Sequence, residues 1–334
     1  MIVSGAKAES RRDSPERPLF HLPWLVDDLV RVEELMRKTV SSPEHALVAD
    51  AALHLIQAGG KRLRPALVMM SSRAGTPAGE TDLAAAAVEL VHIATLYHDD
   101  VIDETEVRRG VPTVHSKWGI EIAVLAGDFL FARGCALGAE AGGDVPAVLA
   151  RGIGRVCEGQ ILETATASDP NRTIEDYMRT VGLKTAALFE AACELGASTS
   201  RAGLEARNAL AEYGRHLGTA FQVVDDLLDL VGDPLQTGKE PGSDLREGVF
   251  TLPVLLAAAG DPQVRTRLER GERVLDELLP SIRATGALRE ARNRALEEGT
   301  LARRAIAPLG PGEWQEALAT VVEGVLAQVE PALV

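Results

Sequence analysis

The sequence predicts an all-α protein, and three observations carry that prediction. From residue 24 onward the chain is rich in Ala, Leu, Glu and Arg, all good helix formers, while aromatic residues make up only 4%. Apolar residues recur at spacings of three, four and seven, the period of a helix. Gly and Pro punctuate the chain at helix-length intervals, and strand signals are scarce.

The elements follow in order. Residues 1–20, MIVSGAKAESRRDSPERPLF, carry charges and no continuous apolar segment, so they read as a mobile arm rather than a secretory signal. Residues 21–334 remain as one domain. Helices are predicted over 81–102, 120–138, 145–166, 173–197 and 203–232. The first opens on Thr81 or Asp82 as a cap and repeats Val88, Val91, Thr95 and Ile102 along one face. Several of these helices are apolar nearly all round, which predicts burial in the middle of a bundle. Loops are predicted over 57–65, 104–119 and 232–248, each combining Gly with Lys or Arg. No apolar run reaches the ~20 residues of a membrane span.

Composition narrows the function classes. With 46% hydrophobic and 25% charged residues, the chain has the material for a buried core. A net charge of -14, from 49 acidic and 35 basic residues, argues against a nucleic-acid-binding surface. Cys135, Cys157 and Cys193 are widely spaced and odd in number, so they predict buried small hydrophobes in a reducing, cytoplasmic compartment rather than disulfides or a zinc site.

An Asp-Asp-x-x-Asp pattern occurs twice, at Asp99, Asp100, Asp103 and at Asp225, Asp226, Asp229. Carboxylates four apart share a helix face and repel each other, more so between apolar neighbours. A solvated acidic face is the ordinary fate of one such triplet. Two triplets, each ending a long apolar helix, point instead to Mg²⁺, which is held by a few carboxylates together with substrate phosphates. No EF-hand pattern is present. Phosphates need cations, and the sequence supplies Lys61, Arg62 and Arg64 after Gly59 and Gly60. It also supplies Arg108 and Arg109, Lys184 beside Thr185, and Lys239. His98 and His115 read as packing or supporting residues, since oxygen ligands suit Mg²⁺ better.

The ordered segments GGKRLRP, HDDVID followed by RRG, GLKTAALF, FQVVDDLLD and TGKEPGSDL resemble the signature motifs of trans-isoprenyl diphosphate synthases, the polyprenyl synthetase family. They span residues 59 to 245. The resemblance implies the isoprenoid synthase fold, a single-domain orthogonal helical bundle around a deep central cavity. It implies about three Mg²⁺ ions, held mainly by Asp99, Asp103 and Asp225 with Asp100, Asp226 and Asp229 assisting. Arg108, Lys184, Thr185, Gln222 and Lys239 would hold the allylic diphosphate. Lys61, Arg64, His92 and Arg109 would hold isopentenyl diphosphate in a metal-free pocket. The two would condense to a trans polyprenyl diphosphate, with departing pyrophosphate as the base.

Within the family, the residues four and five before the first aspartate set product length. Here they are Thr95 and Ala94, both small, so the resemblance implies a long-chain synthase serving a quinone side chain. A short-chain farnesyl or geranylgeranyl synthase is the nearest alternative, because Val91 or another helix can still close the channel. A class I terpene cyclase usually carries a different second motif. A non-catalytic partner subunit typically lacks part of one motif, whereas both are intact here. The family further implies a homodimer, and its hydrophobic product implies loose membrane association.

Overall fold

The structure is a computed structural model that describes residues 22–41, 45–232 and 241–329. Its first half comprises α1 (Pro23–Val40), α2 (Ala46–Gln57), α3 (Leu63–Ser72) and α4 (Gly79–Ile102), then the two-residue strands β1 (Val107–Arg108) and β2 (Val111–Pro112), then α5 (Val114–Trp118) and α6 (Ile120–Ala141). There follow α7 (Val145–Ala165), α8 (Ile174–Val181), a π-helical turn (Gly182–Ala186), α9 (Ala187–Thr199), α10 (Leu204–Val231) and α11 (Ser243–Glu247). The remainder is α12 (Leu252–Gly260), α13 (Pro262–Glu269), α14 (Leu275–Ala284), α15 (Ala287–Ile306) and α16 (Glu313–Leu326).

The all-α prediction holds. Helix α4 is the axis of the core, packing on α6, α3, α9 and α1. It starts two residues before the predicted position because Thr81 sits inside its first turn, where its hydroxyl accepts the Ala78 N–H at 3.3 Å. Glu80 and Asp82 in that turn favour the positive end of the helix dipole. Residues Ala84 to Val88, Leu90, Val91, Ile93, Ala94 and Tyr97 are all buried. Tyr97 donates its hydroxyl to the Ala51 carbonyl on α2 at 2.6 Å, pinning α4 to its neighbour. Helix α10 packs on α9 and α15, closing the other side.

Four sequence expectations are corrected. Ile102, assigned to the apolar stripe, is 51% exposed, since α4 has by then left the core. The predicted helix over 173–197 is broken by the π-helical turn, which α7 and α10 grip at glycines. A Cβ at Gly159 would lie 2.4 Å from Lys184 N, and one at Gly218 would lie 2.6 Å from Ala186 Cα. The predicted loop over 104–119 contains a β-hairpin, whose turn residues Arg109 and Gly110 have φ of 54° and 75°. Those values match a two-residue hairpin turn with both centres left-handed.

Exposure supplies the fourth correction. Cys193 is buried, and burial pushes its thiol up to about 12, but Cys135 and Cys157 are exposed. Cys135 lies on α6, a largely apolar helix that packs on α4 and is buried over less than half of its most apolar stretch. Its 22 residues pass for a membrane span by length and composition alone, although Glu121, Asp128, Arg133 and Glu140 interrupt any continuous apolar run. Close contact with α4 places it as a helix of this bundle instead.

Candidate active site

The first acidic motif occupies the last turn of α4. Asp103 closes the helix with its N–H on the Asp99 carbonyl at 2.8 Å, so both side chains leave from the same end. Burial pushes the Asp99 carboxyl up to about 6; Lys184 pulls against this and Asp103 adds to it. Asp100 points elsewhere. It is buried, accepts from Arg108 Nε at 2.5 Å through Oδ1, and keeps Oδ2 buried without a partner.

The second motif ends α10. Asp225 is exposed and lines a cavity of about 110 Å³, together with Asp103, Glu163, Lys184, Thr185, Gln222, Asp226 and Asp244. Asp226 is buried beneath it, accepting from Tyr177 Oη at 2.5 Å and from Gln222 Nε2 at 2.8 Å. Burial pushes its carboxyl up to about 7 against these two donors. Asp229 uses Oδ1 to accept from the Ser243 N–H at 3.1 Å and the Ser243 hydroxyl at 2.9 Å, while its Oδ2 is buried without a partner.

Cations border both motifs. Lys184 projects from the π-helical turn to an ion pair with Glu163 on α7. Burial works against its charge, but Glu163 and Asp99 prevail and raise its pKa. Thr185 donates to Gln222 Oε1 at 2.6 Å, so these two expected diphosphate contacts join one network that ends on Asp226.

A second group of cations, around His92 of α4, has a different character. Arg62, at the left-handed N-cap of α3, pairs with buried Glu89 at 3.2 Å and supports the loop rather than the site. Arg109 donates to the Gly59 carbonyl, and a Cβ at Gly60 would lie 2.8 Å from its Nη1. Arg64 lies over the Phe189 ring at 4.8 Å, with its Nε buried and unpartnered. Burial brings it down to about 10. His92 lies among these groups, and burial, then Arg64 and Arg109, hold it well below its ordinary pKa and therefore neutral. Lys61 stands at the surface, 3.5 Å from Gln328.

Ala94 and Thr95 are buried one turn below Asp99. His98 Nε2 lies 3.2 Å from the Val124 carbonyl, and His115 Nδ1 lies 3.1 Å from the Thr113 hydroxyl, so both engage in packing. Lys239 lies outside the described residues. Sequence reasoning missed Glu163, Tyr177, Asp244 and the buried Arg172, all of which line the cavity. Two carried a signal: Glu163 stands one helical turn after Gly159 in GQILE, and Asp244 lies within TGKEPGSDL.

With this geometry in place, comparison with known proteins decides the family. The sequence model of the polyprenyl synthetase family matches residues 45–273. The chain belongs to the polyprenyl synthetase family. It is an all-α enzyme of the trans-prenyltransferase class. It is 38% identical over 281 residues to the octaprenyl diphosphate synthase of Escherichia coli, covering 81% of this chain and 87% of that one. The decaprenyl diphosphate synthase of Rhodobacter capsulatus superposes with a TM-score of 0.87 at 37% identity, covering 92% of this chain and 98% of that one. A polyprenyl synthase from Caulobacter crescentus, solved with calcium and isoprenyl diphosphate, superposes with a TM-score of 0.86 at 36% identity, covering 91% and 95%.

The residues present fit a hard divalent cation. Carboxylate oxygens dominate the polar lining of the cavity, from Asp103, Glu163, Asp225, Asp226, Asp244 and Glu247. Among the described residues, no three acidic, imidazole or thiol groups already converge as a closed cage would require.

Proposed function

We propose that this enzyme condenses isopentenyl diphosphate with an allylic diphosphate to give a long-chain trans polyprenyl diphosphate. The observation that carries the reading is the pairing of two unlike anion sites along α4. One is a carboxylate-lined cavity that needs cations; the other is a cluster of arginines around a neutral His92.

Asp99, Asp103 and Asp225 would hold Mg²⁺, about three ions per site, with Asp100, Asp226 and Asp229 behind them. When bound, the metal supplies charge stabilisation to the departing diphosphate. Lys184 and Arg108, which pair with Glu163 and Asp100 in this structure, would hold that same diphosphate. Arg64, Arg109 and Lys61 hold the diphosphate that stays, fixing its double bond against the allylic carbon. Thr185 and Gln222, which bond each other in this structure, would turn toward the diphosphate when it binds, and Lys239 would complete the set. A neutral His92 donates a hydrogen bond without adding a charge that would have to be compensated. No nucleophilic side chain is needed, because the ionised allyl group is attacked by the substrate's own double bond.

Incubation with Mg²⁺, isopentenyl diphosphate and farnesyl diphosphate, followed by sizing of the products, tests the reading. Long polyprenyl chains are expected; a cyclic hydrocarbon, or no elongation by the chain alone, would overturn it.

The same reading makes the enzyme a cytoplasmic homodimer that meets membranes through its product. Its support is the outward face of α6, where Ile120, Val124 and Leu125 are 58%, 38% and 63% exposed. Leu125→Asp is expected to yield a monomer by light scattering.

A further inference from the structure

The residue that holds Lys184 has no counterpart in the two aspartate motifs. Glu163 extends from α7 to an ion pair with Lys184 and faces the same cavity as Asp103 and Asp225. Their meeting is built into the backbone. Gly159, one turn before Glu163, lets α7 approach until a Cβ there would overlap the backbone of Lys184. The π-helical turn sets Lys184 out toward α7. Both side chains are largely withdrawn from solvent, at 24% and 19% exposure, so the pair is only weakly screened.

Resting on the diphosphate reading above, we infer that Glu163 is a positioning residue that competes with diphosphate for Lys184 and so makes diphosphate capture depend on the metal. A free diphosphate must displace Glu163 from Lys184 and then lie beside the released Glu163 carboxylate and the other carboxylates of the cavity. A diphosphate that arrives with divalent cations neutralises those carboxylates and takes Lys184 as well. The cavity thereby discriminates against metal-free diphosphate, which would otherwise occupy the site unproductively.

Calorimetric titration with inorganic pyrophosphate, with EDTA or with excess Mg²⁺, tests the inference. Wild-type protein is expected to bind pyrophosphate with Mg²⁺ and only weakly without it. Glu163→Gln should tighten metal-free binding by about tenfold, because one competing charge at the lysine is gone. Glu163→Asp, which keeps the charge, should retain the wild-type discrimination, and Glu163→Gln combined with Lys184→Ala should lose the gain. A merely structural role for Glu163 would weaken binding under both conditions. Unchanged metal-free affinity in a folded Glu163→Gln protein that still binds with Mg²⁺ would overturn the inference. If Glu163→Gln does not fold, loss of discrimination in Glu163→Asp overturns it instead. If wild-type protein fails to bind pyrophosphate even with Mg²⁺, the diphosphate reading itself fails.

Discussion

The two acidic motifs share one sequence pattern, but the fold uses them differently. In both, the central aspartate is buried and engaged by donors from other residues, although Asp226 still lines the cavity and Asp100 does not. Asp100 is held by a charged donor, Arg108, whereas Asp226 is held by two neutral ones, Tyr177 and Gln222. A guanidinium partner requires the carboxylate to be ionised; a phenol and an amide do not. The first motif is thus wired to the hairpin that carries the arginines, and the second to a neutral network reaching the threonine beside Lys184. What lies one turn beneath also differs: Ala94 and Thr95 under the first, Ala220 and Phe221 under the second. The first motif thus stands above two small side chains, while the second stands above an aromatic ring.

The comparison is broken most severely at the outer aspartates. If Asp99 and Asp225 serve the same ion-holding role despite their different surroundings, Asp99→Asn and Asp225→Asn should each reduce kcat by roughly 10²–10³-fold or more. Steady-state kinetics over a range of Mg²⁺ concentrations measures this. A fall confined to one of them would mean that the motifs do not act as a pair.

The central aspartates should then separate in stability. Asp100→Asn leaves Arg108 half-buried opposite a neutral group, a loss of about 2–4 kcal/mol in denaturant unfolding. Asp226→Asn keeps an acceptor for Tyr177 but turns an amide toward Gln222, and should cost about 1 kcal/mol. Equal costs would refute the distinction between the charged and the neutral support.

What the sequence revealed of this site, and what it did not, follows the same division. Contacts within a helix are legible, since spacing alone sets Asp99 beside Asp103 and Asp225 beside Asp229. Likewise, the arginines after the first motif follow from their position in the chain. The supports Tyr177, Glu163 and Ser243 come from other helices and have no fixed spacing to the groups they hold, so periodicity cannot find them. The exposure of Cys135 and Cys157 was hidden for a related reason. An apolar helix looks the same whether its second face meets its own chain or solvent.

Acid titration sharpens the contrast by a smaller amount. Asp99 at about 6 and Asp226 at about 7 lie above the ordinary carboxylate value near 4 that the unfolded chain retains. Between about pH 4 and 7 the metal-free folded state therefore binds more protons than the unfolded one. The contribution of both groups to stability falls as pH rises through that window and is level above it. Thermal unfolding in EDTA should show this decline. Asp226→Asn should remove its upper part and Asp99→Asn its lower part; an unchanged profile in both variants would assign the burial to other groups.

The smallest effect on rate, and the most specific, concerns the space under the first motif. On α4, Val91, Ala94, Thr95 and His98 share the face turned to α6: a Cβ at Gly127 would overlap the His98 ring, and one at Gly134 would lie 3.1 Å from Val91 Cγ2. The Thr95 hydroxyl is spent on the His92 carbonyl at 2.7 Å, which leaves its methyl for the apolar face. The stripe is thus small-sided near Asp99 and pinched where Gly134 brings the two backbones together, with its Cβ position only 3.0 Å from the Ala87 carbonyl. Chain growth that passes Ala94 and Thr95 would meet Val91 next. Ala94→Phe should therefore shorten the product, and Val91→Ala should lengthen it, with the initial rate of condensation little changed in either. If the product from Ala94→Phe kept its length, the chain would not run along this face, and the apolar stripe of α4 would serve packing alone.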